Sequence, residues 1–468
     1  MNNSRIWNTL RLFSPKEWEA LNKFLESPYH NHRKDVLQLF LFLRQQSLTV
    51  KNRTLGAEHV FNAVYPGKPF DPKALRYLSS SLNQLTQAFL IDQEFKEDAI
   101  AASLLLSRAY RRIGDTRSLR IETKKNQKQI EIQPLRNHQY HQWLYGNLSE
   151  DYSKTVLQSR SEAGQLARLD EELNILFFSQ KLRHACSSLT HKQVSEYEFQ
   201  QDMLPDILNQ VEKRGYLKYP AVAAYYYGYR ALTNLAEPVW FEGLKDSIIR
   251  FKGLFPHDEW RNLYLLAINY CIGQLNAGKS AYLAKVFEIY QRGLEEDVFL
   301  EQGKLSRFTY NNITTAALGL GELDWAFQFI HQFAPLIEPT YQRQTFSYNL
   351  AVYYYQIQDY EKALLELRAM VTDDVLHGLD VRRMMVRIFY ERKEIQALLS
   401  LLDSFRAYLY RKRGLGYHKT HYLNFLRFVR KLMEPDLQQE EKRLELIQQI
   451  QAVSALADRQ WLLQQLQK

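Results

Sequence analysis

The sequence predicts an all-α protein built largely from antiparallel helix pairs. Glycine and proline are scarce, at 18 and 13 of 468 residues, so few positions interrupt a helix. Apolar residues recur at helical spacing along the chain, and short polar turns separate these stretches. After Gly215 the helices come in pairs, which bury their apolar faces by stacking on neighbouring pairs. The expected fold is a right-handed α-solenoid joined to a helical N-terminal unit.

Residues 1–97 are expected to form the helical N-terminal unit. Ser14 and Glu17 make a capping box around Pro15, because each side chain can accept a hydrogen bond from an unpaired amide of the first helical turn. Asp71 followed by Pro72 predicts the start of a long helix. Several short helices before a long one also suit a DNA-binding helix-turn-helix variant, although the sequence shows no strand pair for a wing. Both readings of this unit stay open.

Residues 98–215 are expected to form long amphipathic helices, since helix breakers become rarer there. Eight Arg and Lys residues lie between positions 108 and 128, against Asp115 and Glu122 alone. A solvated helical face explains this run best.

Residues 216–432 carry the pattern of a helix-pair array, and 433–468 are expected to close it with a capping helix from about Gln438. The second helices of three pairs carry a small residue at Ala326, Ala363 and Ala397, spaced by 37 and 34 residues. A tetratricopeptide unit has a period of about 34 residues. The predicted pairs are Tyr219–Leu235 with Val239–Phe251, Leu263–Leu275 with Ala281–Leu294, Asn311–Leu320 with Leu323–Phe333, Phe346–Gln356 with Tyr360–Met370, and Val381–Tyr390 with Ile395–Tyr410.

Over about 305–412 the chain resembles the tetratricopeptide repeat family. The turn from Gly321 to Ala326 is similar to the family's inter-helix turn, whereas Met370 departs from its usual small residue and no proline closes the 378–411 unit. The matching positions of the best repeat are Leu350, Ala351, Tyr354, Tyr360 and Ala363. The whole chain also resembles a group of long helical proteins from Bacteroidota, at Ser27-Pro28-Tyr29 and Asn269-Tyr270-Cys271-Ile272, and that resemblance brings no known activity.

Peptide binding is the function favoured by the inner positions of three pairs. Asn312, Asn349 and Arg383 each precede the small residue of their pair by 14 positions, so stacking would align them on one concave surface. Asparagine can donate to and accept from a peptide backbone, and arginine can grip a carboxylate with two hydrogen bonds. The resemblance implies a clamp for C-terminal carboxylates, but Asn311 and Leu379 stand where the family has lysines. The alternative is that these three polar side chains only solvate the groove and bind no peptide.

Nucleic-acid binding is the alternative function, and it rests on residues 404–433. This stretch has eight Arg and Lys, no Asp or Glu, and several interleaved aromatic residues. Basic groups neutralise phosphates, and exposed aromatic rings stack on bases. Because Phe405, Tyr408, Phe425 and Phe428 have the spacing of buried residues, the exposed candidates are basic ones. They are Arg411, Lys412, Arg413 and Lys419.

Motifs for catalysis, cofactors or metals have simpler explanations. Gly273 to Ser280 match a phosphate-binding loop, but the residues before them have helical rather than strand spacing. We expect a repeat turn in which glycine ends one helix and serine caps the next. His30 with His32, His138 with His141, and His418 with His421 lack nearby cysteine or carboxylate ligands. We therefore expect no enzyme, cofactor, metal or small-molecule substrate.

Composition places the protein in the cytoplasm. About a quarter of all residues are charged, with both signs represented, and the net charge is +9. This excess is too diffuse to indicate a nucleic-acid partner by itself. No apolar run approaches the ~20 residues that span a bilayer, and the N-terminus leads into no apolar signal region. Cys186 and Cys271 are expected to be reduced thiols. The expected function is that of a non-catalytic scaffold that holds an extended peptide or a partner helix, with no membrane role.

Overall fold

The protein is all-α, as the sequence predicts. A computed structural model describes residues 4–49, 56–155, 163–192, 202–368, 370, 375–412, 415–416, 418–434, 437 and 439–467. Within these ranges no helix has both the length and the apolar character needed to cross a membrane. The α-helices are α1 Arg5–Leu10, α2 Pro15–Glu26, α3 Lys34–Thr49, α4 Ala57–Val64, α5 Pro72–Glu97, α6 Ala99–Ile113, α7 Thr116–Glu131, α8 His138–Thr155, α9 Ala163–Lys192, α10 Leu204–Lys213, α11 Pro220–Thr233, α12 Pro238–Arg250, α13 His257–Asn276, α14 Tyr282–Glu295, α15 Arg307–Leu320, α16 Leu323–Phe333, α17 Pro339–Gln356, α18 Tyr360–Arg368, α19 Val375–Glu391, α20 Ile395–Arg411, α21 His418–Lys431, α22 Glu440–Ala452 and α23 Arg459–Gln467. Short 3₁₀ helices span Tyr216–Lys218 and Ala334–Leu336, and two strands span Leu300–Glu301 (β1) and Lys304–Leu305 (β2).

Two compact units divide the chain. The first contains residues Met1–Lys181 and Pro205–Val222, and the second contains Leu182–Leu204 and Ala223–Lys468.

The N-terminal helices begin where the caps predict. The Ser14 amide donates to the Glu17 carboxylate (2.6 Å), and the Glu17 amide donates to the Ser14 hydroxyl (3.3 Å), which completes the capping box at the start of α2. At the start of α5, the Asp71 carboxylate accepts from the amides of Lys73 and Ala74. Helices α1 to α5 share one apolar core, centred on the fully buried residues Leu21, Leu39, Phe40, Leu43, Leu78 and Leu82.

The basic run between 108 and 128 is partly neutralised by acidic residues of its surroundings. Arg108 and Arg111 on α6 lie 3.5 and 2.7 Å from the nearly buried Glu150 of α8. Glu122 on α7 accepts hydrogen bonds from Ser103 and Lys125. Burial would raise the pKa of Glu122, but these donors outweigh it and hold the pKa below its usual value. The run is therefore more than a solvated face, since part of it anchors α6 to α8.

Several helix ends of the second unit lie where the sequence predicts them. Helices α15 to α20 end or begin at the predicted residues Leu320, Leu323, Phe333, Gln356 and Tyr360, and at Ile395. From α12 to α21 every helix packs on the next one along the chain. In addition, α15 contacts α17, and α17 contacts α19. Helices α15 and α17 thus each touch both their own partner and the first helix of the next pair.

A β-hairpin between α14 and α15 is a feature that helical periodicity did not predict. Strands β1 and β2 pair in antiparallel fashion around Gln302 and Gly303, whose φ angles of 50° and 74° suit a two-residue hairpin turn. The hairpin brings the buried side chain of Phe299 against Gly293 on α14. A Cβ atom at Gly293 would overlap the Phe299 ring.

Gly293→Ala is therefore expected to lower the free energy of unfolding by about 1–3 kcal/mol, because overpacking outweighs the gain in helix propensity. The control is Gly164→Ala on the exposed part of α9, where a Cβ meets nothing within 4 Å. That change is expected to be neutral or to stabilise by up to ~1 kcal/mol. Urea unfolding measures both, and equal effects would contradict the packing at Gly293.

The capping helix predicted from about Gln438 is wrong as a single helix, because the chain breaks between α22 and α23. Val453 is extended, and Asp458 has a φ of 51°. The guanidinium of Arg459 donates to the carbonyls of Ile450 (2.8 Å) and Gln451 (2.7 Å), which satisfies the open end of α22. Two short helices therefore cover the end of the unit.

Candidate functional site

The asparagines predicted to bind a peptide have different environments. Asn312 is exposed on α15 and hydrogen bonds to the Tyr290 hydroxyl. Asn349 on α17 is 1% exposed, and its amide donates to the Asn311 carbonyl oxygen (2.6 Å) and to the backbone carbonyl of Thr345 (2.7 Å). In this arrangement Asn312 can meet a ligand, whereas Asn349 ties α17 to α15.

The third predicted residue, Arg383, belongs to a row of charged residues on α19. Asp380, Arg383, Arg387 and Glu391 follow at intervals of three or four residues, which places them along one side of the helix. We call them the α19 charged row. The Arg383 guanidinium lies 2.8 Å from the carboxylate of Asp458 and 3.3 Å from that of Asp380. Burial favours a lower pKa for Arg383, but above all the Asp458 charge raises this pKa well above its ordinary value.

The other end of the α19 charged row is a hydrogen-bond acceptor. The Glu391 carboxylate accepts from the hydroxyls of Tyr355 and Tyr360 (2.6 Å for Tyr360) and from the indole nitrogen of Trp461 (2.7 Å). Burial and then Glu391 raise the pKa of Tyr360 to about 12. The Arg387 guanidinium lies 4.4 Å from the centre of the Tyr355 ring. Cation, anion and aromatic rings therefore lie within one network of α17, α18, α19 and α23.

The basic segment predicted for nucleic acid is partly exposed. Arg411 and Lys412 are exposed at the end of α20, and Lys419 is half-buried with its ammonium 4.8 Å from the centre of the Tyr410 ring. Arg413 lies outside the described residues. Phe405, Phe425 and Phe428 are fully buried and Tyr408 is half-buried, so Tyr410 is the exposed ring among the aromatic residues that the structure describes between 404 and 433.

The segment that matches a phosphate-binding loop is the turn between α13 and α14. Gly278 has a φ of 84°, and the amides of Gly278 and Lys279 donate to the carbonyls of Leu275 (2.9 Å) and Gln274 (3.0 Å). These amides end α13 and do not face an anion site. The glycine stop is confirmed, but the predicted serine cap is wrong, since Ala281 takes the cap position of α14 without a side-chain bond.

The candidate ligands and nucleophiles His30, His141, Cys186 and Cys271 pack against or pair with other residues of the protein. His141 lies 2.8 Å from Glu172 and is 4% exposed, and His30 stacks on Phe24. In the described ranges no three His, Cys, Asp or Glu residues are grouped to hold a metal. Cys186 and Cys271 are buried, unpaired thiols, and burial raises the pKa of Cys271 to about 12. Neither thiol is activated for nucleophilic attack.

A cleft of about 460 Å³ with both polar and apolar walls lies in the second unit. Arg183, Tyr225, Asn262 and Asn269 contribute to its walls. The Arg183 guanidinium lies 3.5 Å from the buried carboxylate of Glu259, so its attraction for a free anion is reduced. The cleft is less well equipped for recognition than the α19 charged row.

Sequence reasoning missed most residues of the network, among them Arg387, Glu391, Asp458 and Trp461. One signal was available, because Arg383, Arg387 and Glu391 interrupt an otherwise apolar stretch of α19 at intervals of four. Their partners Asp458 and Trp461 lie at the last helix, and the sequence around them has no local pattern that indicates a contact with α19.

Comparisons of the chain with models of protein families, with curated proteins and with solved structures find no match. Function is therefore inferred from the side chains themselves.

Proposed function

We propose that the protein is a non-catalytic interaction scaffold whose helix pairs form a right-handed, tetratricopeptide-like α-solenoid over residues 216–432. The observation that carries this proposal is the contact pattern of the second unit, in which α15, α17 and α19 touch one another in turn while each packs on its own partner. Repeat proteins bury their apolar faces through such nearest-neighbour contacts. The first helices then line a concave groove that accepts an extended peptide or a partner helix.

The groove's recognition chemistry is polar at one end and charged at the other. Asn312 is exposed and can pair with a peptide backbone. Arg383 offers a planar guanidinium that binds a carboxylate with two hydrogen bonds. Asn349 has the supporting role of keeping α15 and α17 in register.

The test begins with an affinity pull-down of the full chain from native cells, read by mass spectrometry with and without nuclease. A partner that survives nuclease is then tested against the double variant Asn312→Ala with Arg383→Lys, which keeps a positive charge near Asp458. At least a tenfold loss of the captured partner is expected, because lysine lacks the guanidinium fork. The matched control, Arg406→Lys on the exposed side of α20, should capture as the wild type does. Equal capture by the double variant would rule out this groove.

Nucleic-acid binding is the second candidate, and the exposed Arg411 and Lys412 beside the exposed Tyr410 favour it. Phosphate contacts by these residues would make binding fall with salt. A salt-dependent gel shift that disappears when Arg411, Lys412 and Arg413 are changed to glutamine would reverse the ranking.

A further inference from the structure

The α19 charged row is occupied by the chain's own C-terminal segment, residues 454–467. Asp458 stands just before α23 and meets two guanidinium groups, at 2.8 Å from Arg383 and 3.7 Å from Arg387. Trp461 follows three residues later and donates its indole N–H to Glu391 (2.7 Å). A carboxylate and an indole therefore satisfy opposite ends of one recognition surface.

The aromatic contacts of Trp461 extend this fit. Its ring lies 5.4 Å from the Tyr390 ring and 6.1 Å from the Phe425 ring, and the Arg387 guanidinium lies 5.8 Å from its centre. Trp461 is 4% exposed. It is thus an aromatic anchor in a pocket with a cation beside it, which is the arrangement that dominates binding energy at protein interfaces.

The fit of the segment is incomplete. The Oδ2 atom of Asp458 and the Nε atom of Arg383 are buried without a hydrogen-bond partner. Asp458 also has a φ of 51°, a left-handed conformation that non-glycine residues adopt at a cost. A carboxylate on a differently placed backbone can bond both nitrogen atoms of the Arg383 fork without this strain.

The segment is joined to the rest of the unit through the break between α22 and α23. Val453 is extended where α22 ends, and the helix after the break has nine residues. Hydrogen bonds to α21 hold it in place: Asn424 donates to the carbonyl of Ala455 (2.8 Å), and the Ala457 amide donates to the carbonyl of His421 (3.3 Å). A change of backbone angles at residues 453–458 would release α23 together with its packing on α22 and the Arg459 hydrogen bonds that close the end of α22.

We propose that the C-terminal segment is an internal ligand that blocks the groove, and that the external partner is a protein segment with a carboxylate followed three residues later by an aromatic residue. Such a segment supplies the same two groups to Arg383 and Glu391 and displaces α23. This inference rests on the proposed function and specifies its ligand and its control.

The test uses a fluorescent peptide with the sequence of residues 454–467 and the full-length chain. Wild type should bind it weakly, because its own segment competes at high local concentration. Trp461→Ala in the chain should tighten binding of the peptide at least tenfold, whereas Gln464→Ala on the exposed side of α23 should leave binding unchanged. A peptide that carries Asp458→Asn and Trp461→Ala should not bind. Adding Arg383→Gln to the Trp461→Ala chain should weaken binding of the unchanged peptide at least tenfold. Failure of the peptide to bind the Trp461→Ala chain would overturn the proposal.

A second measurement covers the case in which Trp461→Ala unfolds. In the wild-type chain, hydrogen exchange of the α23 amides should proceed at least tenfold faster than that of the α19 amides, through local opening. Equal rates would show that α23 is a permanent part of the core and would overturn the proposal, as would concentration-dependent dimers formed by exchange of α23. The peptide titration needs no natural partner, so its result is independent of the capture experiment. The titration can fail while a partner is captured, and it can succeed while no partner is captured.

Discussion

Glu391→Ala is expected to lower the free energy of unfolding by about 3 kcal/mol. Its carboxylate accepts hydrogen bonds from Tyr355, Tyr360 and Trp461, and the last of these is almost completely buried. A hydrogen bond to a charged group contributes roughly 1.5–3 kcal/mol, and a buried donor left without a partner costs about as much. The two tyrosines are partly exposed and can recover water, so the sum of three bonds is an upper limit.

Urea unfolding followed by tryptophan fluorescence measures this loss. The matched control is Glu361→Ala, whose side chain is 85% exposed and lies 3.8 Å from Arg392. An exposed ion pair of this kind contributes less than about 1 kcal/mol, so the control should change little. If both variants lost the same small amount, Glu391 would not connect α17, α18 and α23.

Ala363→Leu is expected to destabilise the second unit by about 2–3 kcal/mol. Ala363 is fully buried where α18 packs on α17, and added methyl groups must displace neighbouring side chains. Sequence spacing assigns the same role to Ala397 on α20, but that alanine is half-buried.

Ala397→Leu is therefore a control at the equivalent position of the next pair, and it should lower the free energy of unfolding by less than about 1 kcal/mol. Thermal and urea unfolding of both variants give the comparison. Equal losses would mean that the position in the repeat, and not the local packing of each alanine, sets the tolerance for a larger side chain.

Several helix ends were predictable from local signals. The capping box at Ser14 and the Asp71 cap are both present, because a cap needs only side chains within three residues of the amides they satisfy. The turn at Gly278 is present as well, because a left-handed residue that ends a helix favours glycine.

Helix starts without such a signal were less predictable. Helix α17 begins at Pro339 and α19 at Val375, each at least six residues before the predicted starts at Phe346 and Val381. The first turn of α17 is largely polar and hides the helical periodicity, since apolar spacing reports only residues that face the core. The hairpin around Gly303 was missed for a related reason, because two-residue strands are too short to show an alternating pattern.

The sequence by itself determined that the chain is helical and where several helices end, because these depend on interactions within a few residues. Only the tertiary structure decided what the charged residues of α19 contact. Arg383 and Asp458 are 75 residues apart in the chain, and Glu391 and Trp461 are 70 apart. Periodicity places each of these side chains on a helix face, but the partner of a buried charge is chosen by packing between distant helices.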